Sequence, residues 1–304
     1  VTLLLLALLL QAQSPVPRIE GDWWTVAASP DLGPLTRPEQ EPVDFAIWQA
    51  AGGRWQIWSC IRKTGEEGRT RLLYRWEGES PLHRDWKPMG IAMRADPDFG
   101  ETPGGLQAPY VFHANGEYNM FYGDWVNICR ARSSDGKTFA RVLQPNGRAG
   151  MFSEGPDANA RDPMVLRHGA RWILYYTAHP NRDGSVYART GKTLDAWGPA
   201  KIVSKGGRSG AGPFVAECPF VWFHKPADLF YLFRTQRYGK DATTHVYASK
   251  DPLDFGIGDD SKYVTTLPVA APEIFEYQGA LYIAALRPDL KGIQIAKLLF
   301  AARP

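Results

Sequence analysis

Arg161-Asp162-Pro163-Met164-Val165-Leu166 is one copy of a short phrase that recurs along the chain. Polar residues stand at its head and an apolar run follows. It returns as Val43-Asp44-Phe45-Ala46-Ile47-Trp48, Gln107-Ala108-Pro109-Tyr110-Val111-Phe112, Glu217-Cys218-Pro219-Phe220-Val221-Trp222 and Ala271-Pro272-Glu273-Ile274-Phe275. The spacing is 54–64 residues, so the sequence reads as five copies of one structural unit.

Outward from each head lies a turn and then an aromatic segment. Ala114-Asn115-Gly116 precedes Glu117-Tyr118-Asn119-Met120-Phe121-Tyr122, and Arg167-His168-Gly169 precedes Arg171-Trp172-Ile173-Leu174-Tyr175-Tyr176. Short aromatic and β-branched runs around Gly turns predict hairpins. A third strand follows in each unit, and Trp86, Phe139, Trp197 and Phe255 close the first four. No amphipathic helix of ordinary length interrupts the pattern. The expectation is an all-β, single-domain, five-bladed β-propeller spanning residues 20–304. A β-sandwich rarely repeats one phrase five times, and β-helix coils are far shorter. The segment from Glu20 to Thr36, with Trp23 and Trp24, is expected to supply an outer strand that closes the ring.

Composition excludes some partners. Of 304 residues 44% are hydrophobic, enough for a core without disulfides, and the formal net charge is only +3. The basic residues are scattered, whereas a nucleic-acid footprint needs a basic face. Eleven Trp and 13 Tyr suit β-structure or sugar stacking. Residues 1–14 (Val1-Thr2-Leu3-Leu4-Leu5-Leu6-Ala7-Leu8-Leu9-Leu10-Gln11-Ala12-Gln13-Ser14) resemble the apolar and small-residue parts of a secretory signal peptide, without its basic start. That run is too short to span a bilayer. A secreted or periplasmic protein, with no membrane contact after signal removal, is expected. The three cysteines, Cys60, Cys129 and Cys218, lack zinc-site spacing and read as buried free thiols. The six His are scattered; His113, His168, His179 and His224 read as turn or surface residues. No cofactor and no metal are required, though a calcium in the central channel is compatible with the sequence.

If each head phrase is the innermost strand of a blade, its first residues sit at one mouth of the channel. Asp44, Asp162, Glu217 and Glu273 would then converge. Glycoside cleavage needs one protonated acid and one carboxylate across the sugar. Crowded carboxylates in a partly dry cleft supply the raised pKa that the acid needs.

These residues resemble a known superfamily. Arg161-Asp162-Pro163 looks like the Arg-Asp-Pro motif of five-bladed propeller glycosidases, glycoside hydrolase families 32, 43, 68 and relatives. Glu217-Cys218-Pro219 is similar to the Glu-Cys motif carrying the general acid in family 32. The resemblance implies Glu217 as general acid, Asp162 as the fixed carboxylate tuning it, and Asp44 as nucleophile or general base. At the third position Val43-Asp44-Phe45 departs from the Asn-Asp-Pro or Asp-Pro pattern, leaving Asp22 or Asp31 as alternatives. The repeats end near Leu298 without a C-terminal β-sandwich, which leans the resemblance toward family 43. The implied substrates are arabinofuranosides, xylosides or fructosides.

Six further residues are substrate-binding candidates. Arg161 can orient a carboxylate, and Glu273 can bind a hydroxyl or pair with an Arg. Gln107 heads the blade without an acid. Arg234 ends a second strand. Trp125 follows another, where loops form the rim, and it or Trp48 could stack on a sugar. Ser133-Ser134-Asp135-Gly136-Lys137-Thr138-Phe139 resembles a degenerate sialidase Asp-box, a turn device that supports the fold more than an activity. A monomer acting on carbohydrate is expected. A carbohydrate-binding propeller without catalysis, a protein-interaction propeller and a glycoside phosphorylase remain as alternatives.

Overall fold

A computed structural model describes residues 14–302. The strands form five antiparallel sheets around one axis, a five-bladed β-propeller. Blade 1 runs from the axis outward through Glu41–Gln49, Trp55–Arg62, Leu72–Gly78 and Lys87–Met93. Blade 2 comprises Gln107–Ala114, Glu117–Gly123, Ile128–Ser133 and Gly150–Phe152, with Ala140–Arg141 paired beside it. Blade 3 uses Arg161–His168, Arg171–Ala178, Ser185–Gly191 and Lys201–Lys205; blade 4 uses Glu217–His224, Leu229–Arg237, Thr243–Ser249 and Tyr263–Leu267. Blade 5 has Glu273–Tyr277, Ala280–Leu286 and Gly292–Ala301. Its outer strand comes from the other end of the chain: Val16–Ala28 pairs with Gly292–Ala301, from Val16 opposite Ala301 to Ala28 opposite Gly292.

The closing strand therefore starts upstream of the predicted Glu20, and it ends before Thr36, because Gly33–Leu35 turns as a 3-10 segment. The signal-like segment lies outside the described residues except for Ser14. Among the described residues no α-helix occurs, and none is long and apolar enough to cross a membrane.

Local chemistry explains the hairpins. Asn115 and Gly116 both adopt positive φ (55° and 80°), the two-residue turn whose twist matches paired strands. The Asp-box-like segment is also a turn: Asp135 Oδ1 accepts from Ser133 Oγ and from the Lys137 and Thr138 amides at 2.7–2.9 Å. This turn delivers Phe139 against Trp48 and Trp58. The core lies between neighbouring blades, where aromatic second strands pack against the inner strand of the adjacent blade, as Trp55 does on Phe275 and Trp172 on Phe112. Inner strands abut in blade order, and that of blade 5 returns to blade 1.

Each head phrase carries the same backbone irregularity. Asp44, Ala108, Asp162, Cys218 and Ala271 all have φ between 40° and 55°. In the first four blades the ladder register shifts at this residue. In four blades the next residue is proline, which removes a ladder donor. A non-glycine residue held there costs about 1–3 kcal/mol. The bulge turns one side chain out of the pleat toward the axis. This is why the repeat shows polar residues at the head of an otherwise apolar strand.

Candidate active site

The five bulge residues ring a cavity of about 20 Å³ on the axis, and Glu273 lines it too. Above it opens a pocket of about 470 Å³ lined by Asp44, Arg62, Gln107, Asn159, Arg161 and Glu217 together with rim residues. Asp44 belongs to both spaces, and it is the hinge between channel and pocket.

Asp44 and Asp162 occupy equivalent bulge positions on blades 1 and 3, and Cys218 holds that position on blade 4. Ligand-type atoms of these three residues lie within 4.8 Å of one another. Asp44 Oδ1 accepts from Tyr238 Oη at 2.9 Å and from Cys218 Sγ at 3.1 Å. Its Oδ2 carries no hydrogen bond from the described residues. Asp162 Oδ2 accepts from the Cys218 amide at 2.9 Å, while its buried Oδ1 has no partner.

Glu217 stands one residue before its bulge and faces the pocket. Arg161 Nη2 and Nε donate to its Oε1 at 2.8 and 3.3 Å. The same guanidinium lies 3.7 Å from Asp162 and donates to the Asn159 carbonyl and to His179 Nδ1. Burial raises the pKa of Glu217; Arg161 opposes the rise and Asp44 adds to it. Asp162 is raised as well, burial first, with Arg161 opposing and Asp44 and Glu217 adding. Burial and the Arg161 charge press His179 down to about 4, so it is a neutral acceptor at pH 7. The Cys218 thiol is raised well above its ordinary value by burial and its acidic neighbours, which makes it an inert donor rather than a nucleophile.

Solved glycoside-hydrolase propellers share this fold. An endo-arabinase from Bacteroides thetaiotaomicron VPI-5482 superposes with a TM-score of 0.63 at 16% identity, covering 92% of this chain and 97% of that one. The catalytic domain of the Coprinopsis cinerea family 62 α-L-arabinofuranosidase gives 0.63 at 13% identity, covering 96% and 99%. A structure described as showing that family 130 of mannoside phosphorylases contains hydrolases of β-1,2 mannosidic linkages gives 0.62 at 14%, covering 94% and 99%. No protein-family model matches the sequence, and no curated protein does.

The structure brings Asp44, Asp162, Glu217, Glu273, Arg161, Gln107 and Trp125 together around the two spaces. Asp22 and Asp31 line neither. Gln107 and Asn159 line the pocket, and the amide oxygen of each, Oε1 and Oδ1, is buried without a hydrogen-bond partner among the described residues. The remaining candidates lie elsewhere. Arg234 is 1% exposed and donates to Ser204, Gly206, Ser209 and Tyr247, joining blade 4 to the loop after blade 3. It stands three residues before its strand ends, inside the sheet rather than at the rim. Trp48 lies at the far end of its inner strand; its Nε1 donates to the Gly136 carbonyl at 2.9 Å. Replacing Trp48 by Ala is expected to cost about 3–5 kcal/mol in urea unfolding while leaving substrate KM of the folded fraction unchanged.

Glu273 sits two positions beyond its bulge, so it lines the channel cavity below the acids, and it pairs with no Arg among the described residues. What surface it exposes faces that small cavity, and burial raises its pKa well above normal. A carboxyl held protonated by the fold weakens the fold as pH rises above its unfolded value of about 4.3. Glu273→Gln is therefore expected to be more stable than wild type at pH 7.5, by about 1–3 kcal/mol, with the gap closing near pH 4. Denaturant unfolding at both pH values measures it.

Several pocket residues escape sequence reasoning. Arg62, Trp125, His179 and Tyr238 all lie at or just past the end of a second strand, in four consecutive blades. That position is the signal that singles out Trp125 and Arg234 in the sequence, and it marks Arg62, His179 and Tyr238 equally well. His179 is thus a pocket residue, not a surface turn. The exposed aromatic at the rim is Phe214, 57% exposed, set edge-on to His179 and with the Arg161 guanidinium carbon 5.8 Å from its ring centroid, while two arginines lie over the Trp125 ring. Cys60, Cys129 and Cys218 are free, the first two fully buried.

Proposed function

We propose that this protein is a glycoside hydrolase acting on furanose- or pentose-bearing glycans, such as arabinofuranosides, xylosides or fructosides. The observation that carries the reading is the meeting of Asp44, Asp162 and Glu217, from blades 1, 3 and 4, at the base of a sugar-sized pocket. Two of the three neighbours described, an endo-arabinase and an α-L-arabinofuranosidase, favour this substrate class, while the third concerns β-1,2 mannosidic linkages.

In this reading Glu217 protonates the departing glycosidic oxygen. Burial raises its pKa and so favours the protonated form the acid needs, and Arg161 fixes the carboxyl through one oxygen, leaving the other for the substrate. Asp44, held by Tyr238 and Cys218, acts on the anomeric carbon directly or through water. Asp162 stays beneath, where its charge state tunes Glu217 and its field favours the cationic transition state. Gln107 and Asn159 line the pocket with polar side chains that contact the sugar, and Phe214 offers an aromatic surface at the rim. A secreted location fits the N-terminal apolar run and such polymeric substrates.

Product analysis with and without inorganic phosphate tests this reading. A free reducing sugar released in both conditions supports hydrolysis. A sugar 1-phosphate formed only with phosphate would replace hydrolysis by phosphorolysis, and oligosaccharide binding without any product would leave a carbohydrate-binding propeller.

A further inference from the structure

One wall of the pocket carries charge that the acid–base machinery does not use. Arg69 and Arg71 both line it, and their guanidinium carbons lie 4.5 and 5.0 Å from the Trp125 ring centroid. Neither has a carboxylate within ion-pair distance among the described residues. Arg69 makes no side-chain hydrogen bond, and Arg71 makes only a 4.0 Å contact with Cys60 Sγ. The other pocket arginines are engaged: Arg62 binds Glu41 at 2.7 Å, and Arg161 binds Glu217. Asp157 is exposed at the rim and pairs with neither.

The wall is held in place. The Arg69 and Arg71 amides donate to the Pro103 and Gly104 carbonyls at 3.0 and 2.9 Å. The two chain segments approach so closely that a Cβ on Gly68 would lie 2.2 Å from the Pro103 carbonyl oxygen, and one on Gly104 2.1 Å from that of Glu67. Arg94 clamps Glu66 at the start of the loop with two 2.8 Å bonds. Between the two arginines Thr70 takes φ 61°, and Trp125 takes φ 83°. A β-branched residue and a bulky aromatic rarely adopt such angles, and strain of this kind gathers at ligand sites. The Trp125 turn is fixed by buried Asp124, whose Oδ1 accepts the Val126 and Asn127 amides.

We propose that Arg69 and Arg71, on the Trp125 platform, form an oxyanion subsite, so that the pocket takes a ligand bearing a carboxylate, sulfate or phosphate. Stacking fixes the plane of a guanidinium while its N–H edge stays open, and that fork matches an oxyanion with two parallel bonds. Calling the ligand a charged glycan rests on the glycosidase reading; the anion subsite does not.

Calorimetric titration tests it, with glucuronic acid beside glucose, glucuronate-substituted beside plain xylotriose, and inorganic phosphate. The proteins are wild type, Arg69→Ala/Arg71→Ala and, as a fold-preserving control, Arg69→Lys/Arg71→Lys. Wild type is expected to prefer at least one anion over its neutral match, or to bind phosphate, by 10-fold or more. The Ala pair should lose that preference, and the Lys pair should keep part of it. Preference for the acidic sugars assigns the anion to the glycan, and phosphate binding alone assigns it to a free co-substrate. No anion preference in wild type, or the same preference in the Ala pair, overturns the proposal. Anion binding with no glycoside turnover would sink the glycosidase reading and leave the subsite standing; turnover without anion preference would do the reverse.

Discussion

Glu217→Gln is expected to lower kcat by about 10²–10⁴-fold on substrates with poor leaving groups, and far less on aryl glycosides of acidic phenols. The variant keeps the shape and the Arg161 bond but cannot give up a proton. A leaving group that departs as a stable phenolate needs none, so its rate falls little. The second expectation concerns pH. Burial holds the Glu217 proton to higher pH than an exposed carboxyl would, and activity should fall on the alkaline side as that proton is lost. In the Gln variant this alkaline limb should vanish. Rate measurements over a series of leaving groups and pH values check both. A uniform loss across all leaving groups would mean that Glu217 binds substrate rather than protonating it.

Arg161→Met is expected to be the most destabilising single change at the site. Arg161 is 3% exposed and serves Glu217, Asp162, His179 and two backbone carbonyls. Its removal strands two buried carboxyls without a counter-charge, and breaking such a pair typically costs about 3–5 kcal/mol. The carboxyls can escape by binding protons, which moves their pKa values further above the unfolded ones. The loss should therefore be larger at pH 7.5 than at pH 5, where protonation is easier. Urea unfolding of both proteins at the two pH values measures the difference. An equal loss at both would show that Arg161 contributes packing and donors but not charge.

The repeating phrase made the propeller legible because one strained backbone device recurs in every blade. A bulge with positive φ needs a residue turned to the axis, and a following proline marks it in four blades. Asp44 lacks that proline, yet the apolar run after it keeps the phrase recognisable. The acids were readable since they occupy these heads. Glu273 shares the phrase but sits two residues past the bulge, so it meets Asp44 and Asp162 at the axial cavity and does not line the pocket above it.

Arg234 and Trp48 show a different limit. Composition marks both as able to meet a sugar, but which end of a strand faces the mouth decides, and both lie within the blades instead. The arginine wall was less legible still. Arg69 and Arg71 lie in a loop whose path depends on a backbone contact with Pro103 and Gly104, more than 30 residues on. No periodicity encodes that contact. Phe214 and Asn159 likewise reach the pocket from irregular segments before inner strands.

The most direct measurement is sugar release by wild type and by Asp44→Asn from a panel of aryl arabinofuranosides, aryl xylosides and short fructans, neutral and acid-substituted. Release by wild type from at least one compound, reduced 10²-fold or more in Asp44→Asn with its unfolding midpoint retained, is the predicted result. Equal release by the two proteins, or none by wild type from any compound, would contradict a glycosidase built on the acids at the propeller mouth.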